Sequence, residues 1–157
     1  MQKVTPFLWF DNNLDEAVTL YTSIFPDSKL IETSRYGEAG PGTPGSIMSA
    51  TFEIAGQRLI ALNGGPYFKF TEAISLFVEC SDQKEVDHYW NSLIANGGEE
   101  SQCGWLKDKF GLSWQIVPVD LGVLLGNPDR EKADRVMQAM LKMKKLEIAE
   151  LHAAFEG

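Results

Sequence analysis

The sequence predicts an α+β fold: two βαβββ modules in tandem, followed by C-terminal helices. Three observations predict it. The order of strand-like and helix-like segments in residues 4–63 recurs after residue 73. The two stretches align 68 residues apart, so that Leu8, Phe10, Asp11, Val18, Tyr21 and Phe25 meet Leu76, Val78, Glu79, Val86, Tyr89 and Leu93. Beyond about residue 128 the apolar spacing is helical only. The aligned positions are mostly core-type, and the shared element order makes duplication the better reading. The expected organisation is one domain over 1–157. Module 1 covers about 1–66, module 2 about 67–119, and a helical tail 120–157.

The elements follow in order. Residues 4–11 are short, apolar and β-rich, hence a strand. Asn13, with Glu16 three residues on, offers a capping box. Leu14, Ala17, Val18, Tyr21 and Phe25 then continue at helical spacing until Pro26-Asp27. Residues 29–37 read as a strand and 38–45 as a Gly/Pro loop. Residues 46–55 and 57–63 read as strands joined tightly at Gly56. In the second module 73–80 is a strand, and Ser81 caps a helix through Val86, Tyr89, Trp90 and Leu93. That helix ends at Asn96-Gly97-Gly98, where the glycine pair supplies a left-handed cap. Residues 99–107 are weak strand candidates and 111–118 a clear strand. In the tail, Asn127 caps with Pro128 at the first helical position. The reading expects helices over 128–143 and 145–155, or one kinked helix. Met137, Met140 and Met143 read as adaptable core packing.

Composition narrows the function classes. The chain has 157 residues, 44% hydrophobic and 23% charged, enough for a packed core. A net charge of −8 repels a phosphate backbone, so nucleic acid is not an expected partner. No apolar run reaches the roughly 20 residues that span a bilayer. Residues 1–6 lack the apolar stretch of a signal peptide. The expected compartment is the cytoplasm, and Cys80 and Cys103 are expected as free thiols there. Gly37–Gly45 is not a phosphate-binding loop, because prolines at 41 and 44 interrupt it and a strand follows. No Gly-rich strand-to-helix turn of the S-adenosylmethionine-binding kind is present.

Several local words carry a resemblance. They are Pro6-Phe7-Leu8-Trp9-Phe10, Phe25-Pro26-Asp27-Ser28, Ala61-Leu62-Asn63-Gly64-Gly65-Pro66, Gly104-Trp105-Leu106-Lys107-Asp108 and Gly111-Leu112-Ser113-Trp114-Gln115. With the two modules, they resemble the vicinal-oxygen-chelate (glyoxalase/bleomycin-resistance) superfamily, and within it the PhnB-like subgroup. That subgroup is often labelled a 3-demethylubiquinone-9 3-methyltransferase domain. The resemblance implies that each module curls its sheet into half of a cup. It also implies a homodimer and, in catalytic relatives, a divalent metal held by four His/Glu ligands. Carried over, the ligand positions fall on or near Pro6, Ala73 and Gln115, with a fourth near Ala61–Asn63 whose register is open. None is His, Asp or Glu, so no metal and no cofactor are expected. His88 is expected to face solvent and His152 lies in the tail.

The candidate ligand-binding residues of the cup are Gln115, Asn63, Trp105, Tyr67 and Pro6. Gln115 alternates away from Leu112, Trp114 and Ile116, and its amide both donates and accepts without serving as a base. It reads equally as a satisfied interior amide. Asn63 reads as a turn-former or as a rim group. Trp105 and Tyr67 read as aromatic walls or as core. Trp9 is expected to pack under a helix. The leading function is binding of a small organic ligand in a metal-free cup. A glyoxalase-like lyase or isomerase comes second, and the labelled methyltransferase last.

Overall fold

Strand alternation decides which side chains of each sheet lie under a helix and which stay on the open face. The computed structural model describes residues 2–157; Met1, the first residue of the expected module 1, lies outside them. The chain divides into two compact units, one running up to Phe70 and the other Thr71–Gly157.

The first unit carries β1 (Phe7–Phe10), α1 (Leu14–Ile24), β2 (Lys29–Arg35), β3 (Ile47–Ile54) and β4 (Gln57–Asn63). Its sheet order is β1-β4-β3-β2, with β1 parallel to β4 and the other pairs antiparallel. Leu8, Ala61 and Ala50 pair across the strands, and all three are buried with Phe52 and Leu59 under α1. Tyr21 of α1 stacks on Phe52 with ring centroids 6.5 Å apart. Each such buried aromatic or aliphatic side chain contributes about 1.5–3 kcal/mol of transfer free energy.

Trp9 corrects the expectation. Leu8 and Phe10 take the helix side, so Trp9 lies on the opposite face in the row Trp9–Leu62–Ser49. Its ring meets Phe68 edge-on at 4.9 Å, and its indole N–H donates to the Gly65 carbonyl at 2.9 Å. A Cβ on Gly64 would fall 2.3 Å from that ring, which is why glycine stands there. Asn13 caps α1 without a side-chain bond. The first-turn N–H of Leu14 donates instead to Oδ1 of Asn63, 3.0 Å away on β4.

The second unit repeats the topology. It carries β5 (Leu76–Cys80), α2 (Gln83–Ile94), β6 (Glu99–Glu100), β7 (Trp105–Lys107) and β8 (Ser113–Pro118), in the order β5-β8-β7-β6. The parallel pair again joins its first and last strands. Val86, Tyr89, Trp90 and Leu93 are buried, as their spacing predicts. The N-cap is Asp82 rather than Ser81: its carboxylate accepts from the Glu85 N–H at 2.8 Å. Glu85 returns a bond to the Ser81 N–H at 2.8 Å. At the other end the left-handed residues are Asn96 and Gly97, not the glycine pair.

The tail holds three helices where two were expected. They are α3 (Val119–Leu125), α4 (Arg130–Met140) and α5 (Ile148–Glu156). α3 starts directly where β8 ends, with no polar cap to announce it and Gly122 in its middle. Its Leu121 and Leu124 join Val117, Val136, Met143, Leu146 and Leu151 in a separate apolar cluster. α4 is capped by Asp129, which accepts from the Lys132 N–H, so Pro128 precedes the cap. Of the three tail methionines Met143 is core, while Met137 is exposed. Among the described residues no helix is long and apolar enough to cross a membrane.

Candidate functional site

On the open face of the second sheet one cross-strand row reads Phe77–Gln115–Trp105. Neighbouring strands lie about 4.8 Å apart, so the amide sits between two aromatic side chains. The Gln115 Nε2 donates to Ser75 Oγ at 2.9 Å, which fixes the amide plane. Its Oε1 has no partner among the described residues and remains an open acceptor. Glu79 and Val117 form the next row. These side chains floor a groove of about 340 Å³, walled by Leu121 and Leu125 of α3 and Met140 of α4.

The tail builds this wall because the turn before β7 holds it there. Cys103 and Gly104 both adopt positive φ, and their N–H groups donate to the carbonyls of Met143 and Lys144 at 2.8 Å each. Gln83 of α2 bonds the same segment twice, donating to Leu146 O and accepting from Ile148 N–H. Lys145 pairs with Asp87 of α2 at 2.7 Å.

Asp108 frames the floor from beneath. It is 2% exposed. Oδ1 accepts from the N–H groups of Phe110 and Leu112 at 2.9 and 3.1 Å, and Oδ2 from the Trp114 indole at 2.9 Å. This carboxylate ties the Trp105–Asp108 segment to the Gly111–Gln115 segment and sets the phase of β8, hence the direction of Gln115. Beside the groove lies a smaller recess of about 160 Å³, where Lys107 pairs with Glu72 and the buried Ser113 Oγ has no hydrogen-bond partner among the described residues. The bond to Lys107 holds Glu72 below the usual carboxylate range, and Lys107 is raised in return.

The expected site residues thus separate. Gln115 and Trp105 come together in the second unit's groove. Asn63 and Tyr67 line a different cavity of about 590 Å³ in the first unit, with Tyr36 and the Gly/Pro loop. Both ends of the Asn63 amide are engaged, Oδ1 with Leu14 and Nδ2 with Ile47 O at 3.1 Å. Tyr36 Oη donates to the Asn63 carbonyl at 2.5 Å. Tyr67 is 80% exposed. Pro6 is half-buried and uses its carbonyl to accept from Ile60 N–H at 3.0 Å. Phe77 and Glu79 were missed by sequence reasoning. The signal existed, since both alternate in phase with Gln115 once β5 is paired to β8.

A divalent metal does not fit these residues. The open fourth-strand register is now assigned: Ile60 and Leu62 face the open side, and Ala61 and Asn63 the helix. Among the described residues no three His, Cys, Asp or Glu side chains are grouped to hold an ion. His88 is exposed on α2. His152 Nε2 lies 2.6 Å from Asp120 Oδ2, a contact between α5 and α3. Burial, reinforced by Glu85, pushes the Cys80 thiol up to about 12. Cys103 lines the groove half-buried. Among the described residues neither Glu79 nor Cys103 makes a side-chain hydrogen bond that would mark an acid–base or nucleophile–base pair.

Two βαβββ modules of this topology define a glyoxalase-like protein of the vicinal-oxygen-chelate superfamily. Within it, the chain belongs to the family described as 3-demethylubiquinone-9 3-methyltransferase, whose model matches residues 2–117. The PhnB protein of Bacillus cereus, which carries the same methyltransferase label, is 36% identical. That match covers 75% of this chain and 100% of the other, with a TM-score of 0.69. Protein PA1353 of Pseudomonas aeruginosa is 20% identical over 75% of this chain and 98% of its own, at a TM-score of 0.62. The fosfomycin resistance protein FosX of Listeria monocytogenes is 18% identical over 80% and 98%, at 0.59. At those identities the last two share the fold alone. No curated protein matches the sequence.

Proposed function

We propose that the protein binds a small, largely apolar organic molecule in the groove of its second unit, without a metal. The observation that carries this reading is the Phe77–Gln115–Trp105 row. It combines two aromatic side chains with one fixed amide whose Oε1 is open. Small-molecule sites have this composition: apolar walls and a few oriented polar groups. The groove's volume also falls in the range of such sites. A lyase or isomerase reading would need a base positioned by a partner, and among the described residues Glu79 and Cys103 have none. The methyltransferase of the family name would need a cofactor site, and no Gly-rich strand-to-helix turn supplies one.

The test is a nitrogen-15 NMR titration with benzyl alcohol, a neutral aromatic that carries one donor. The Trp105 indole and Gln115 amide signals are expected to shift together, and Gln115→Leu is expected to weaken binding several-fold. Shifts confined to other residues would sink the reading. We further propose a cytoplasmic homodimer. Free Cys80 and Cys103 suit a reducing compartment, and Phe7 and Phe77, each 57% exposed, leave apolar surface on the sheets. Light scattering behind a sizing column measures the oligomer.

A further inference from the structure

The groove's charge is one-sided. Glu79 is its one carboxylate, and among the described residues no Lys, Arg or His lines it. Among the described residues Glu79 has no ion-pair partner. The nearest cation by strand register, Lys107, stands one row beyond Trp105 and Gln115 in the adjacent recess, neutralised by Glu72. Lys142 and Lys144 of the tail are exposed and do not line the groove. Gln115 Oε1 is an open acceptor at the floor. Phe77 and Trp105 add electron-rich rings that attract cations and repel anions. A carboxylate, a carbonyl acceptor and two rings share one preference.

We propose that the occupant of this groove is a protonated amine on an apolar or aromatic body. The proposal rests on the groove being the binding site, as argued above. The ammonium donates to Gln115 Oε1 and faces Glu79, while its body lies against Trp105, Leu121 and Leu125. A phosphonate or carboxylate of the same size would meet the like charge of Glu79, with no cation lining the groove among the described residues to offset it. The fold relative FosX, a fosfomycin resistance protein by name, shares the fold alone and does not define the ligand class here.

Three probes of one size test this: benzylammonium, benzyl alcohol and benzylphosphonate, titrated at pH 7 against the Trp105 and Gln115 NMR signals. Benzylammonium is expected to bind about fivefold more tightly than the alcohol, with benzylphosphonate weakest. Glu79→Gln is expected to bring benzylammonium within about twofold of the alcohol measured on the same variant, since an exposed carboxylate acts mainly through charge. If benzylphosphonate binds as tightly as benzylammonium, or if Glu79→Gln leaves the ammonium preference intact, the class assignment is overturned while the groove remains a binding site. If none of the three moves either signal, the groove reading itself fails and the class assignment fails with it.

Discussion

Asn63 is an amide with all of its reach committed. It caps the first turn of α1 through Leu14 and holds β3 through Ile47, while its carbonyl receives Tyr36. Removing a buried amide leaves donors and acceptors unpaired, at about 1–3 kcal/mol. Asn63→Ala is therefore expected to lower unfolding stability by about 2 kcal/mol in urea titrations; an unchanged midpoint would disprove the structural role. Asp108 is the counterpart in the second unit. Asp108→Ala strands three donors and is expected to cost about 3 kcal/mol, with loss of the Gln115 NMR signal dispersion as the site-specific readout. The two cysteines differ in a way that a thiol reagent reads directly. Cys80, buried and held up to about 12, stays unreactive until the protein unfolds. Cys103 is half-buried at the groove and is expected to react in the native state, more slowly when benzylammonium is bound.

At the scale of elements, the tail is fastened to α2 by Gln83 and by the Lys145–Asp87 pair. The bond from Lys145, helped by Gln83, holds Asp87 below its ordinary value. A lowered carboxylate stabilises the fold above the usual carboxylate range, and that contribution is lost as pH falls through the lowered value. Lys145 is raised by the same bond, so its share is present below the usual lysine range and lost only at the alkaline end. Both groups are partly solvated, so the pair is worth about 0.5 kcal/mol. Asp87→Asn is expected to reduce stability by that amount at pH 7 and to flatten the acid limb between pH 5 and about 3. Urea midpoints across that range measure it. An acid limb identical to that of the parent protein would show that the pair does not fasten the tail.

Across the whole molecule the two units repeat one sheet order while their open faces diverge. Trp9–Leu62–Ser49 in the first unit takes the place of Phe77–Gln115–Trp105 in the second. The positions that the resemblance assigns to metal ligands fall on or near Pro6, Ala73 and Gln115 and, on the fourth strand, near Ala61–Asn63, and none of these is His, Asp or Glu. Dialysis against EDTA is accordingly expected to leave the melting temperature unchanged, since an ion bound to the native state would raise it by mass action. A drop restored by one divalent cation would contradict that.

The amino-acid sequence by itself determined the modules, the α+β class and the family. Those depend on local alternation, helical spacing and words such as Gly111–Gln115, all carried by neighbours along the chain. It also determined that Gln115 opposes Trp114 and Ile116, because period two needs no partner strand. The caps were half legible. Asp82 stood next to Ser81, and only the return bond from Glu85 chose between them. Tertiary structure alone decided the rest. Whether Trp9 or Leu8 lies under α1 depends on pairing with β4, 53 residues away in sequence. The role of Asn63 depends on the N-terminus of α1 arriving beside it. The groove exists because α3 follows β8 with no signal of its own, and because the tail returns to Cys103 and Gly104. Phe77, Glu79, Gln115 and Trp105 are scattered along the chain, and sheet pairing brings them onto one open face.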